Sequence, residues 1–207
     1  MSGVDWPNTI LGRAKSALSK AEVVLKPEDH ETLQAKVAAA LREIESARVT
    51  NRKWLAGAAP TAKIYPAPAS SLLEIDDLLS IVTVTTSSSM EPLVSNQDYG
   101  LVQNGERTAY RLIERRDNGL AIRWVNGQYV TVTGLWAVAP EPFDDVVDAW
   151  VMLTTRMFRR HRTSYGGESG FLDIGTSNVP MADADILLPL CRYYLPAPQQ
   201  VLAVGVA

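Results

Sequence analysis

Apolar positions recur every three or four residues in three stretches of this chain and alternate in a fourth, and that contrast divides it. Ile10, Leu11, Ala14, Ala17, Leu18 and Ala21 form one stripe, which predicts a helix over residues 5–25 with Pro7 in its opening turn. Pro27 interrupts the pattern. Leu33, Val37, Ala40, Leu41, Ile44 and Ala47 then mark a second helix starting near Pro27 or Glu28. Glu28, Asp29 and Glu31 fall in its first turn. Arg48, Arg52 and Lys53 fall near its far end, as the helix dipole favours. Trp54 and Leu55 are expected to close it against a core. Val146, Ala149, Trp150, Leu153 and Met157, flanked by Val147 and Phe158, predict a third helix, capped by Asp144-Asp145 and running to about Arg162. A last short helix over 181–194 would turn Ile186, Leu187, Leu190 and Cys191 inward, with Pro189 kinking it or delaying its start.

Between the second and third helices the period falls to two. Residues 80–86 alternate and are rich in β-branched side chains, which suit a pleated surface. Residues 99–103, 109–114, 120–125 and 128–133 are strand-like too. Ser87-Ser88-Ser89, Asn104-Gly105 and Asp117-Asn118-Gly119 separate them. Asn126-Gly127 predicts a two-residue hairpin over 124–132, because Asn-Gly accepts the positive φ such a turn needs. Gly134 is read as the end of the sheet. Residues 56–71, with three prolines, read as a connector in which Ile64-Tyr65 forms a short edge strand. Residues 163–180 read as a Gly/Ser-rich loop and 196–207 as an apolar tail that needs cover in water. The expected fold class is α+β: a small helical bundle of three to four helices with an inserted antiparallel β-sheet module. Its segments are 1–71, 72–134, 135–195 and the tail 196–207.

Composition narrows the function. At 207 residues, 46% hydrophobic and 21% charged, the chain can bury a core without staples. A net charge of −3 argues against a dedicated nucleic-acid binder. Cys191 is the only cysteine, so neither a disulfide framework nor a cysteine zinc cluster is expected. The first residues lack the pattern of a signal peptide, and no apolar run has the length of a membrane span. A soluble protein made in a reducing cytoplasm is the expectation.

Catalytic arrangements are sparse. Gly167-Glu168-Ser169-Gly170 misses a nucleophile elbow by one residue. There is no phosphate loop and no His-Glu-x-x-His. His30 and His161 are the only histidines, so a zinc site would lean on carboxylates. Asp76-Asp77 could serve a hard cation, but the spaced oxygens of a calcium loop are missing, and a turn or helix cap between Ile75 and Leu78 is expected instead. No catalytic residue, cofactor or metal is assigned. The dense charge feature is Arg156, Arg159, Arg160, His161 and Arg162. It reads as a solvated helix end, a contact with an acidic neighbouring subunit, or a nucleic-acid contact. Trp124, Trp136 and Trp150 read as core.

The order of elements carries a resemblance. After the helical pair and β-block comes Val-x-Val-Thr-Gly-x-Trp (130–136). A proline then leads to Val-x-x-Ala-Trp (Val146, Ala149, Trp150), an arginine-rich helix end, a glycine-containing loop and a closing Cys-Arg-Tyr-Tyr (191–194). Over residues 28–195 this resembles the head–tail adaptor (connector) proteins of long-tailed bacteriophages. The resemblance implies a virion protein of the neck, made in the host cytoplasm, that forms a dodecameric ring beneath the portal protein. The ring would receive a stopper or tail-completion protein on its other face and pass genome DNA through its lumen without chemistry. Interface candidates are then the basic Arg156, Arg159, Arg160 and Arg162, the acids Glu74, Asp76 and Asp77, and Val201, Leu202 and Val204 of the tail. Two other readings remain at this point: a neighbouring neck or tail-completion protein, and a DNA-binding module using helix 144–162. A hydrolase built on Asp76, Asp77 and His161 lacks any nucleophile–base pair at a usable spacing.

Overall fold

The computed structural model describes residues 5–46, 48–89, 91–103, 109–165 and 184–194, and the chain divides into two units. Met1–Asn51 and Phe143–Tyr194 contribute to a helical unit; Arg52–Pro142 forms a sheet unit. The fold is α+β, with the sheet lying between α2 and α3 in chain order. No described helix is long and apolar enough to cross a membrane.

In the helical unit, Asp5 caps α1 (Trp6–Lys20) by accepting the Asn8 N–H at 3.2 Å, and Pro7 sits in the first turn. The helix stops in a left-handed turn at Glu22, φ 60°. The Glu22 N–H donates to Ser19 O and the Val23 N–H to Leu18 O, both at 3.0 Å. That is the pairing by which a left-handed residue closes a helix, here without the usual glycine. Ala21 is therefore an exposed cap and not part of the stripe.

Helix α2 (Asp29–Ile44) buries Leu33, Val37, Ala40 and Ile44. It ends before Arg48, Arg52 and Lys53, so Arg42, not those three, is the base in its last turn. Ala47 lies outside the described residues. Helix α3 (Asp144–Tyr165) runs one turn beyond the expected end. It buries Val146, Val147, Ala149, Trp150, Leu153 and Phe158 against α1 and α2. Phe158 is fully buried while Met157 is only partly so, which shifts the predicted stripe by one residue. The Trp150 Nε1–H donates to Val37 O at 2.8 Å, and so satisfies the one polar atom of a buried indole. Phe143 O accepts from both Val146 N and Val147 N at 3.0 Å, so Asp144 and Asp145 occupy the first turn and not the cap. There they complement the dipole.

The last element is four residues of α4 (Ala184–Leu187) followed by a 3₁₀ helix, Leu188–Tyr193, with Pro189 at its start. Three residues per turn place Leu187 and Leu190 on one side. Both are buried, and Cys191, expected inward, is exposed.

The sheet unit has strand order β1-β6-β2-β4-β3, antiparallel throughout, with β5 paired to β4. The strands are β1 Thr61–Pro66, β2 Leu72–Thr86, β3 Tyr99–Gln103, β4 Tyr110–Asp117, β5 Leu120–Ala121 and β6 Tyr129–Trp136. β1 includes Ile64-Tyr65 and is an edge strand, as expected. β2 is twice the predicted length and has two partners. Its first half pairs with β4 and its second half with β6, and Leu78 is registered to both Tyr110 and Trp136. Asp76-Asp77 lie inside this strand, not in a turn. The register with β4 shifts between Glu74 and Leu78, and this bulge lets the consecutive residues Asp77 and Leu78 both be buried.

Two glycine readings change. Asn118 (φ 48°) and Gly119 (φ 85°) are both left-handed, and they close the β4–β5 hairpin at the Asp117↔Leu120 pair. At Asn126-Gly127 only Gly127 has positive φ (81°), so the turn, closed by Gln128 N–H to Val125 O at 3.3 Å, is not of that kind. β6 pairs with β1 and β2, and Trp124-Val125 is no strand. Gly134 does not end the sheet. It lies within β6, where a Cβ would stand 2.5 Å from Leu78 Cδ1 and closer still to Ser80 O. The glycine is there because two backbones approach too closely for a side chain. Asn104-Gly105 lies outside the described residues.

The core of this unit comprises Tyr65, Leu73, Ile75, Val84, Ile113 and Trp136, with further residues that include Trp124. Gly134→Ala should destabilise the protein by about 2 kcal/mol or more, since the overlap is with rigid backbone. A urea or thermal melt that matches the parent would sink this account of β6.

Candidate functional site

The basic end of α3 divides in two. Arg156 grips Asp185 with both nitrogens, at 2.7 and 2.6 Å, and so ties α4 to α3. Arg162 Nη1–H donates to Val24 O at 2.9 Å, which holds the loop between α1 and α2 to the end of α3. Both arginines therefore serve the unit's own structure. Arg159 and Arg160 are exposed and His161 is partly buried. The same helix exposes Asp144 and Asp148 in its first half. Those carboxylates oppose phosphate, which weighs against α3 as a DNA-reading helix.

The acids of β2 do not form a free negative patch. Asp77 accepts from Arg52 Nε at 2.6 Å and Nη2 at 2.5 Å, and the side chains are only 7% and 1% exposed. Asp76 accepts from Lys63 Nζ at 2.7 Å and from the Tyr65 hydroxyl at 3.0 Å. Burial, with the Asp76 carboxylate adding to it, pushes the Tyr65 phenol far above its ordinary pKa. Lys63 also lies 4.5 Å from the centre of the Trp136 ring. Glu74, more than half exposed, meets Arg111 at 3.4 Å. Each acid thus has a cation within its own unit, and Asp77 is out of reach of a partner. Among the described residues no group of three or more His, Cys, Asp or Glu side chains converges as a metal site.

A second cluster went unseen in the sequence. Asp145 accepts from the Tyr193 hydroxyl at 2.8 Å and from Arg192, and the Tyr193 ring lies 5.7 Å from that of Phe143. This clamps the 3₁₀ helix onto the start of α3. Desolvation alone would raise the pKa of Asp145. Hydrogen bonds from Tyr193 and Arg192 outweigh it and hold the carboxyl below its usual range. Asp185 is lowered too, chiefly by its hydrogen bonds from Arg156. No spacing rule joins residues 145 and 193, so the sequence offered no signal.

The loop between α1 and α2 carries two adjoining hollows of about 370 and 580 Å³ that share Lys15 and Leu25. Val24 is 78% exposed beside them, and Lys15 Nζ lies 2.9 Å from His30 Nδ1. The apolar run Val23-Val24-Leu25 was the available signal for this surface. Val201, Leu202 and Val204 lie outside the described residues, as do Gly167-Glu168-Ser169-Gly170.

No protein-family model matches the chain, and no curated protein matches it. Solved structures do. One is a chain in the neck of an empty GTA particle computed with C6 symmetry, at 13% identity and a TM-score of 0.50, covering 87% of this chain and 83% of that one. Another is a chain in the virion of a native gene transfer agent (GTA) particle, at 13% identity and a TM-score of 0.51, covering 86% and 82%. At that identity the likeness establishes a shared fold, and it spans more than four-fifths of both chains.

Asp77→Ala should cost about 3–5 kcal/mol, because it strands the Arg52 cation out of water. Arg52→Met with Asp77→Leu should recover most of that loss. Urea midpoints of the three proteins test this, and a mild effect from Asp77→Ala alone would refute it. Asp145 and Asp185 have depressed folded pKa values, so their contribution is present above about pH 4 and is lost as pH falls through the folded values. Amide exchange in residues 188–193, corrected for intrinsic rate, should therefore rise at acid pH. The pair Asp145→Asn with Asp185→Asn should flatten that pH response, and an unchanged profile would discount the clamp.

Proposed function

We propose that this protein is a structural component of a phage-type virion neck, a ring-forming head–tail adaptor that bridges the portal protein and the stopper or tail-completion protein. The observation that carries the reading is the fold shared, across more than four-fifths of both chains, with a chain in a gene transfer agent neck. A neck with sixfold symmetry accommodates rings whose copy number is a multiple of six, and a dodecamer is one of these. The protein then acts by shape and self-association, and genome DNA passes through the ring without specific contacts.

The physical features are compatible with that role. Rings are built from heterologous contacts, one patch meeting a different patch on the next copy. A helical unit and a sheet unit present unlike surfaces for this purpose. Arg159 and Arg160, exposed at the end of α3, are the basic candidates for a neighbour's acids. A net charge of −3 suits the wall of a channel through which DNA must slide. The apolar tail, with Val201, Leu202 and Val204, is assigned to docking on the portal, as an added strand.

The test is electron microscopy of the protein mixed with its cognate portal, where a ring of adaptor density on the portal is expected. Portal rings that stay bare at high adaptor concentration would defeat the reading. Deletion of residues 196–207 should abolish portal binding and leave circular dichroism and melting unchanged. Full binding by the truncated protein would remove the tail from the interface.

A further inference from the structure

Asn-Gly occurs at 118–119 and 126–127 among the described residues, and the fold treats the two in opposite ways. Asn118 and Gly119 are locked in left-handed conformations inside a paired hairpin. The Gly119 N–H donates to Gln97 O at 3.2 Å, and Asn118 Nδ2 donates to Asp117 Oδ1 at 3.2 Å. Both the backbone nitrogen and the side-chain amide are thus engaged. At 126–127 neither is. Asn126 and Gly127 are exposed, and among the described residues the Gly127 N–H and the Asn126 side chain have no hydrogen-bond partner. The turn is closed only by Gln128 N–H to Val125 O at 3.3 Å, just beyond the usual range for such bonds.

We infer that Asn126 is a site of spontaneous deamidation, and that native structure makes it the reactive member of the pair. The Gly127 nitrogen loses its proton and bonds to Asn126 Cγ. Ammonia leaves from Cγ, and a five-membered succinimide remains. One water then opens the ring. Cleavage of the Cγ–N bond gives aspartate with the ordinary backbone. Cleavage at the former backbone carbonyl gives isoaspartate, in which the chain runs through Cγ. No oxidant or reductant enters, and the net change is amide plus water to carboxylic acid plus ammonia. Glycine favours the step because it offers no side chain to hinder the attack.

The position gives the modification a structural consequence. Gln128 O accepts the Ala67 N–H at 2.8 Å, and the next residues set the register of β6, with Tyr129 opposite Pro66 and Val130 opposite Thr86. An isoaspartate at 126 lengthens the backbone three residues before that register begins. It also puts a new negative charge between the exposed side chains of Val125 and Tyr129. This inference is independent of the neck reading.

The full-length protein is incubated at mildly alkaline pH in water enriched in ¹⁸O, below its melting temperature, and digested for mass spectrometry with fragmentation that separates aspartate from isoaspartate. The Asn126 peptide should take up label several-fold faster than the Asn118 peptide, with isoaspartate as a major product. In protein unfolded by denaturant the two rates should converge, because the difference comes from the fold. Native rates that are equal, or a faster Asn118, would overturn the proposal. So would a rate ratio that persists in the unfolded chain.

Discussion

Arg52 and Asp77 oppose each other at bonding distance with almost no solvent between them and the core of the sheet unit. Two charges removed from water are tolerated only when each satisfies the other with good geometry. That requirement fixes more than one side chain. The register shift in β2 accompanies two successive buried residues, Asp77 and Leu78, and Asp77 meets Arg52 there. The same bulge lies where β2 passes from β4 to β6, so the ion pair sits at the hinge of the whole sheet. Leu78, next to it, contributes to both pairings.

This explains why the acids of residues 74–77 mislead when read as a line of text. Adjacent carboxylates in a polar-looking segment suggest a turn, because a buried charge is costly without a partner. The partners, Arg52, Lys63 and Arg111, come from three different parts of the chain. Nothing in local spacing announces them. The helices were more legible. The three-and-four stripes located α1, α2 and α3, and the start of α3 was placed to within a residue or two. Helical burial is a local property that the sequence states directly. Gly134 and the two Asn-Gly pairs among the described residues show the opposite case. Their meaning depends on what lies across the sheet, and one glycine can end a strand or permit a close approach within it.

The candidate site shows the same division. The exposed pair Arg159 and Arg160 was visible as charge density at a helix end. The internal duties of Arg156 and Arg162 were not, since Asp185 and the Val24 carbonyl are distant in sequence. Structure therefore reduces an apparent block of surface cations to a smaller set of outward-facing ones. It likewise withdraws Asp77 from the acids that could answer them.

Lys53 and Val138 join the two ends of the sheet unit, the Val138 N–H donating to Lys53 O at 2.8 Å. Helix α3 must find α2 across everything that intervenes in the chain, and closing so long a loop carries an entropic cost. Once the sheet has formed, that cost has already been met, because the strands deliver the two chain ends side by side. Assembly of the helices then proceeds as if a short link connected them. A segment that looks like an interruption of the bundle thereby acts, once folded, as a short link between α2 and α3.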